Sequence, residues 1–131
     1  MQTFLPYSNF EKSSKCLDYR RLGKQRPEVK QILNAILYHT GWRNHPIVKM
    51  WTGYEEALKY YGNCVIHEWC ERGYVNNMEL FPVRNVVYPP WLGMEKFHSS
   101  HRAALLAKDF KWYSQFGWKE EPKIDYIWIR T

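Results

Sequence analysis

An all-α fold is predicted, a compact single-domain bundle of three to four main helices with long aromatic and proline-rich loops, and three observations carry it. Val29, Ile32, Leu33, Ile36 and Leu37 recur at the i, i+3, i+4, i+7, i+8 spacing of one helix face. Trp51, Tyr54, Leu58, Tyr61, Val65 and Trp69 form a second such stripe. Strand-like alternation is confined to brief stretches between residues 74 and 93. The chain has 131 residues, the size of one domain, and should bury roughly two-thirds of its unfolded surface. At 45% apolar, 24% charged and 18% aromatic it has material for a core, which excludes a disordered or fibrous chain.

The elements follow in order. Thr3-Phe4-Leu5-Pro6-Tyr7 is apolar and interrupted by proline, so it predicts an extended arm packed on the body. Ser13 or Ser14 can cap a short helix running through Cys16, Leu17, Tyr19 and Arg20 to Leu22, with Gly23 as its stop. Pro27 suits the first turn of a second helix, which carries the Val29 stripe and ends at Thr40-Gly41. A polar and aromatic loop, Gly41 to Pro46, leads to a long helix from about Ile47 to Arg72, with Gly73 as its stop. Pro82, Pro89, Pro90 and Gly93 make residues 74–93 a loop wrapping the bundle. A last helix is expected from about Glu95 to Trp112, and the aromatic tail, Tyr113 to Trp128, packs back on the body.

Three cysteines, Cys16, Cys64 and Cys70, form no C-x-x-C pair, which leaves neither a disulfide framework nor a zinc knuckle. The five histidines lack partners at metal-site spacing, so no metal and no cofactor is expected. The longest apolar runs, such as Ala103 to Ala107, are too short for a membrane span or a signal peptide. A cytoplasmic location with no membrane partner is the expectation. The net charge of +6 lies entirely in residues 1–50, where nine Lys and Arg face three acids. Five of those cations fall between Arg20 and Lys30. Such a local excess suits a polyanion such as nucleic acid, and it suits a solvated helix face equally.

Three clusters could carry chemistry. In the first, Arg20, Arg21, Lys24 and Arg26 can grip phosphates and Gln25 can reach a base edge or sugar, although an exposed helix end with ordinary charge pairs uses the same residues. In the second, Trp42, Arg43, Asn44 and His45 combine a stacking surface, a cation and two hydrogen-bonding groups, which is what holding an unstacked base requires. Packing of Trp42 is the other account. In the third, His98, Ser99, His101 and Arg102 fall near a helix N-terminus that would favour a phosphate, or Ser99 is simply its cap. Dinucleotide, P-loop, nucleophile-elbow and zinc-protease motifs are all missing, so those readings have no support. The Trp and Tyr stripe of the long helix reads as core.

Three stretches give the chain a family resemblance. Leu17-Asp18-Tyr19-Arg20-Arg21-Leu22, the run from His45 through Gly73-Tyr74, and Trp112-Tyr113-Ser114-Gln115-Phe116-Gly117 occur in the order found in the endonuclease V type of pyrimidine-dimer DNA glycosylase, which the chain resembles over most of its length. That resemblance implies a small all-α repair enzyme whose N-terminal α-amine attacks the sugar C1′ while a carboxylate steadies the cationic sugar. An imine then permits β-elimination, and the bent DNA releases one nucleotide from the stack. Two features depart from the family pattern. Arg21 stands where the family carries its catalytic glutamate, and a cation about 5 Å from the developing charge would oppose it by about 3 kcal/mol at an effective dielectric near 20. Glu28 is the nearest later carboxylate, seven residues on, but the expected break between Gly23 and Pro27 puts it on another helix. Gln2 is bulky where the family has a small residue, so Met1 should be retained and its own amine would have to serve.

The leading expectation is therefore a glycosylase, with the lyase step that the resemblance implies, acting on a damaged or modified base in duplex DNA. Met1 and Glu28 are its expected catalytic pair. A binding module that has lost the catalytic carboxylate is the alternative, and an RNA- or nucleotide-processing protein is a third reading. Oligomeric state is left open, with a monomer as the simplest case.

Overall fold

The structure, a computed structural model, describes residues 1–129. Its described residues form helices α1 Phe10–Cys16, α2 Tyr19–Tyr38, α3 Pro46–Trp51, α4 Glu55–Glu71, α5 Glu95–Lys108 and α6 Phe110–Tyr113, then a 3₁₀ turn over Ser114–Phe116. The protein is all-α. None of these helices is long and apolar enough to cross a membrane.

Two expected helix limits near the start are corrected. Asn9, not Ser13 or Ser14, caps α1, its side chain accepting from the Lys12 amide at 2.8 Å. The serine hydroxyls are spent on the carbonyls of Tyr7 and Phe10. Leu17 is extended, so α1 stops there, and α2 then runs 20 residues straight through Gly23 and Pro27. The reason is burial. Leu22, Gln25, Val29, Ile32 and Leu33 form one inward stripe across the supposed break, and their packing outweighs the hydrogen bond that proline removes. Gly23 serves a close approach instead: a Cβ there would lie 3.1 Å from the Trp69 ring.

The expected single helix over 47–72 is two. Thr52 leaves helical geometry and Gly53 adopts φ +91°, a conformation that favours glycine, so α3 and α4 separate at this turn. Gly73, at φ +86°, ends the run as expected. Residues 74–93 carry no helix or strand, also as expected, and Asn63 holds them down through both the N–H and the C=O of Phe81. The last long helix stops at Lys108, short of Trp112, because Asp109 swings to φ −152° and its carboxylate caps α6.

α2 packs chiefly on α4, which also receives α1, around a core that includes Leu22, Val29, Ile32, Leu58, Tyr61 and Val65. Through this core runs the arm, Gln2 to Pro6, buried and extended as its proline predicts. With no strand beside it, its backbone must find side-chain partners, since a buried unpaired amide or carbonyl is costly. The Phe4 N–H donates to Gln25 Oε1 at 2.8 Å, and Gln25 Nε2 donates to the Gln2 carbonyl at 2.7 Å. Tyr61 donates to the Phe4 carbonyl, His101 Nδ1 accepts from the Leu5 N–H, and Arg102 donates to the Pro6 carbonyl.

Candidate catalytic cleft and nucleic-acid interface

Continuity of α2 decides the site. On an unbroken helix, residues four apart are neighbours on one face and seven residues make about two turns, so Arg20, Arg21, Lys24 and Glu28 share a ridge. The buried arm runs beside this ridge and brings its own N-terminus to it. Together they border a cleft of about 650 Å³, lined by Met1, Gln2 and Phe4 from the arm and by Tyr19, Arg20, Arg21, Gly23, Lys24 and Glu28 from α2. Trp69, Lys108 and Tyr126 complete the wall. Glu28 is tied to the arm directly: its Oε2 accepts from the Gln2 N–H at 3.4 Å.

The cations of the cleft differ in how far they are committed. Arg21 donates to Asp18 at 3.1 Å, and that buried carboxylate also accepts from the Tyr113 hydroxyl. Burial, and then the bond to Asp18, push the Tyr113 phenol well up, so it stays a donor. Arg20, Lys24 and Lys108 are exposed and have no carboxylate partner among the described residues. They are the free positive charge of the site. Arg26 is turned aside, with its guanidinium 4.3 Å from the Trp69 ring centroid and donating to Asn76 Oδ1.

His45 lies outside the cleft lining and reaches it through a chain of ring contacts. Burial, and then the positive charge of the N-terminal amine, hold its imidazole below the ordinary value. Its Nδ1 accepts from the Ile47 N–H as the cap of α3, so the neutral ring carries its proton on Nε2. Edge-on ring contacts link Trp42, His45, Trp128 and Tyr126 in a line toward the cleft, with centroid separations of 6.3, 5.8 and 5.9 Å. Trp42, Arg43 and Asn44 are exposed. Burial moves the Tyr126 phenol up to about 12.

Several residues read as surface groups for DNA lie elsewhere. Gln25 is buried and its amide is consumed by the arm and by Tyr61, so it reaches no base edge. His98 and His101 are buried too: His98 donates from Nδ1 to the Leu5 carbonyl while its Nε2 accepts from the Gly93 N–H. Burial lowers both imidazoles, His101 to about 3. Ser99 donates to Glu120, and Arg102 is held between Glu95, Glu120 and the Pro6 carbonyl. This third cluster anchors the arm and offers no free cation. Lys108, Tyr126, Tyr19 and Trp69 are cleft residues that the sequence did not mark, because the expected break at Gly23 separated Tyr19 from the rest of α2 and the Trp69 stripe read as core. Among the described residues no group of three His, Cys, Asp or Glu side chains could hold a metal ion.

No curated protein and no solved structure matches the chain. The family model for pyrimidine dimer DNA glycosylase matches residues 1–82, which include the arm, α1 to α4 and the Met1–Glu28 side of the cleft. By that match, over more than half its length, the chain belongs to the pyrimidine dimer DNA glycosylase family.

Proposed function

We propose that this cleft breaks the N-glycosidic bond of a damaged or modified base in duplex DNA, with the Met1 α-amine as nucleophile and Glu28 as its carboxylate. The supporting observation is that Met1 and Glu28 line one cleft beside Arg20, Arg21 and Lys24. The amine nitrogen attacks C1′, and the base leaves with the bonding pair and takes up a proton. The C1′–O4′ bond opens as the nitrogen gives up a proton, leaving an imine. Loss of a C2′ proton expels the 3′ phosphate and cuts the strand, and water then hydrolyses the imine to restore the amine. Splitting the reaction in this way replaces one high barrier by lower ones.

Glu28 stabilises the positive charge growing at C1′ and takes the proton of the attacking amine. Arg21, about two turns before it on the same ridge, would repel that charge if it stood alone; its pairing with Asp18 offsets much of the penalty. Arg20 and Lys24 hold phosphates of a bent duplex, and Arg43 adds another contact. Trp42, Asn44 and the Nε2–H of His45 line the space for a base drawn from the stack.

Borohydride trapping on a duplex with a natural abasic site or a pyrimidine dimer tests the reading. An adduct is expected that disappears when the N-terminus is extended or acetylated. Glu28→Gln should slow trapping by about 100-fold or more while changing DNA affinity less than about threefold. A binding module without chemistry is the second reading, favoured by Arg21 at the position where the family resemblance places a glutamate. Salt-dependent binding with no adduct on any lesion-bearing duplex would establish it instead.

A further inference from the structure

The tail after Gly117 lies along α5 and is fastened on either side of Tyr126: the Lys123 N–H donates to the Ala103 carbonyl and the Ile127 N–H to Ser100 Oγ, each at 3.1 Å. The Tyr126 ring packs edge-on against Phe4 of the arm, His101 of α5 and Trp128, with centroids 6.3, 5.4 and 5.9 Å apart. Three such contacts hold it in place. It lines the cleft with Met1, Gln2 and Glu28, and its hydroxyl has no hydrogen-bond partner among the described residues. Burial raises this phenol to about 12, and the charges of Arg21 and Glu28 act on it through space. The amine chemistry of the cleft leaves one proton without a source. When the C1′–O4′ bond opens, its electron pair goes to O4′, which needs an acid. Glu28, ionised, only accepts. Arg21 is committed to Asp18, and Arg20, Lys24 and Lys108 are exposed cations suited to phosphates. The other phenol of the cleft, Tyr19, opens α2 and stands about 13 Å along that helix from Glu28.

We propose that Tyr126 is a further catalytic residue of this reaction, the acid that protonates O4′ as the sugar ring opens. The proposal rests on the Met1 amine being the nucleophile. The nitrogen lone pair forms the C=N bond and the C1′–O4′ pair passes to O4′, which takes the Tyr126 proton and becomes a hydroxyl. The proton lost from nitrogen goes to Glu28. Water then returns a proton to the phenolate and removes one from Glu28, so both groups are restored. An alkoxide is about as basic as hydroxide, so a phenol at about 12 is acid enough to serve it. Acid and base are thereby divided between the tail and α2.

The test is the rate of adduct formation with cyanoborohydride, which spares free aldehydes, on two duplexes. One carries a natural abasic site, whose sugar is a closed hemiacetal; the other carries an acyclic abasic aldehyde that lacks the 4′ oxygen and has no ring to open. Tyr126→Phe keeps the ring and its contacts and removes only the hydroxyl. It should slow trapping of the closed site by about 100-fold and of the acyclic site by less than about twofold. Affinity for either duplex should stay within about twofold of wild type, because the hydroxyl acts only as the bond breaks. Normal trapping of the acyclic site also shows that the variant is folded and its amine in place. Any pattern other than selective slowing on the closed site overturns the assignment; equal slowing on both would make Tyr126 a packing residue of the arm. A wild-type adduct on both sites with no effect of Tyr126→Phe sinks this acid alone and leaves the Met1 mechanism standing. A wild type that traps neither site removes the mechanism and the acid with it.

Discussion

A buried glutamine amide has one acceptor and one donor group, and Gln25 uses each on a different residue of the arm. It stands in a run of arginine and lysine, so its hydrogen-bonding capacity is visible in the sequence while its direction is not. That direction follows from where residue 25 falls on the inward stripe with Leu22 and Val29, and the stripe itself emerges only once α2 is known to be continuous. Gln25→Leu keeps most of the volume and leaves the Phe4 N–H and the Gln2 carbonyl without this partner. At about 1–3 kcal/mol for each of the two orphaned groups, a loss of about 2–6 kcal/mol is expected in urea unfolding. The same variant should slow borohydride trapping more than it weakens DNA binding, because the arm carries the Met1 amine and Gln25 touches no DNA. Stability within about 1 kcal/mol of wild type would show that the arm is held without it.

Helix type and approximate number are legible in the 3.6-residue periodicity, but helix limits depend on contacts far away in sequence. Gly23 and Pro27 look like breakers locally, and tertiary burial along α2 overrides them. Conversely, the long stripe from Trp51 to Trp69 hides the turn at Gly53, because its apolar residues keep nearly the same face on both sides. Gly62 is silent in the sequence for the same reason. In the structure it sits where α4 meets α2, and a Cβ there would fall 2.8 Å from Val29 Cγ1 and 2.8 Å from the Phe81 ring. Gly62→Ala gains about 1 kcal/mol of helix propensity but forces apart the two helices that align the cleft. A net loss of about 1–2 kcal/mol is expected in thermal or urea unfolding. A net gain would mean that the α2–α4 contact yields easily.

At the scale of the molecule, the unusual feature is a terminal arm threaded through the core and fastened by neutral imidazoles. The charge excess of the first 50 residues is legible in the sequence, yet the seat that joins it to the N-terminus depends on α5, some 70 residues later. His98 and His101 bind the Leu5 peptide group from that helix, and the groups facing them include Arg102, Glu95 and Tyr126. Burial keeps His101 unprotonated down to about pH 3, whereas an unfolded histidine takes its proton near 6.5. Below pH 6.5 the unfolded chain therefore binds more protons than the folded one, and stability falls as pH falls, by up to about 1.4 kcal/mol per pH unit for each histidine that resists. His98 and His45, also lowered, act in the same direction. The carboxylates held low, Glu56 and Glu120, add to the loss only below about 4.5, so the interval from 6.5 to 4.5 isolates the histidines. Urea titrations across that interval should show a steady decline. His101→Asn, which keeps an acceptor for the Leu5 N–H but cannot titrate, should flatten it, and an unchanged slope would assign the decline to other groups. Trapping of abasic DNA should fall with stability in wild type, since release of Leu5 also releases the amine at the end of the arm.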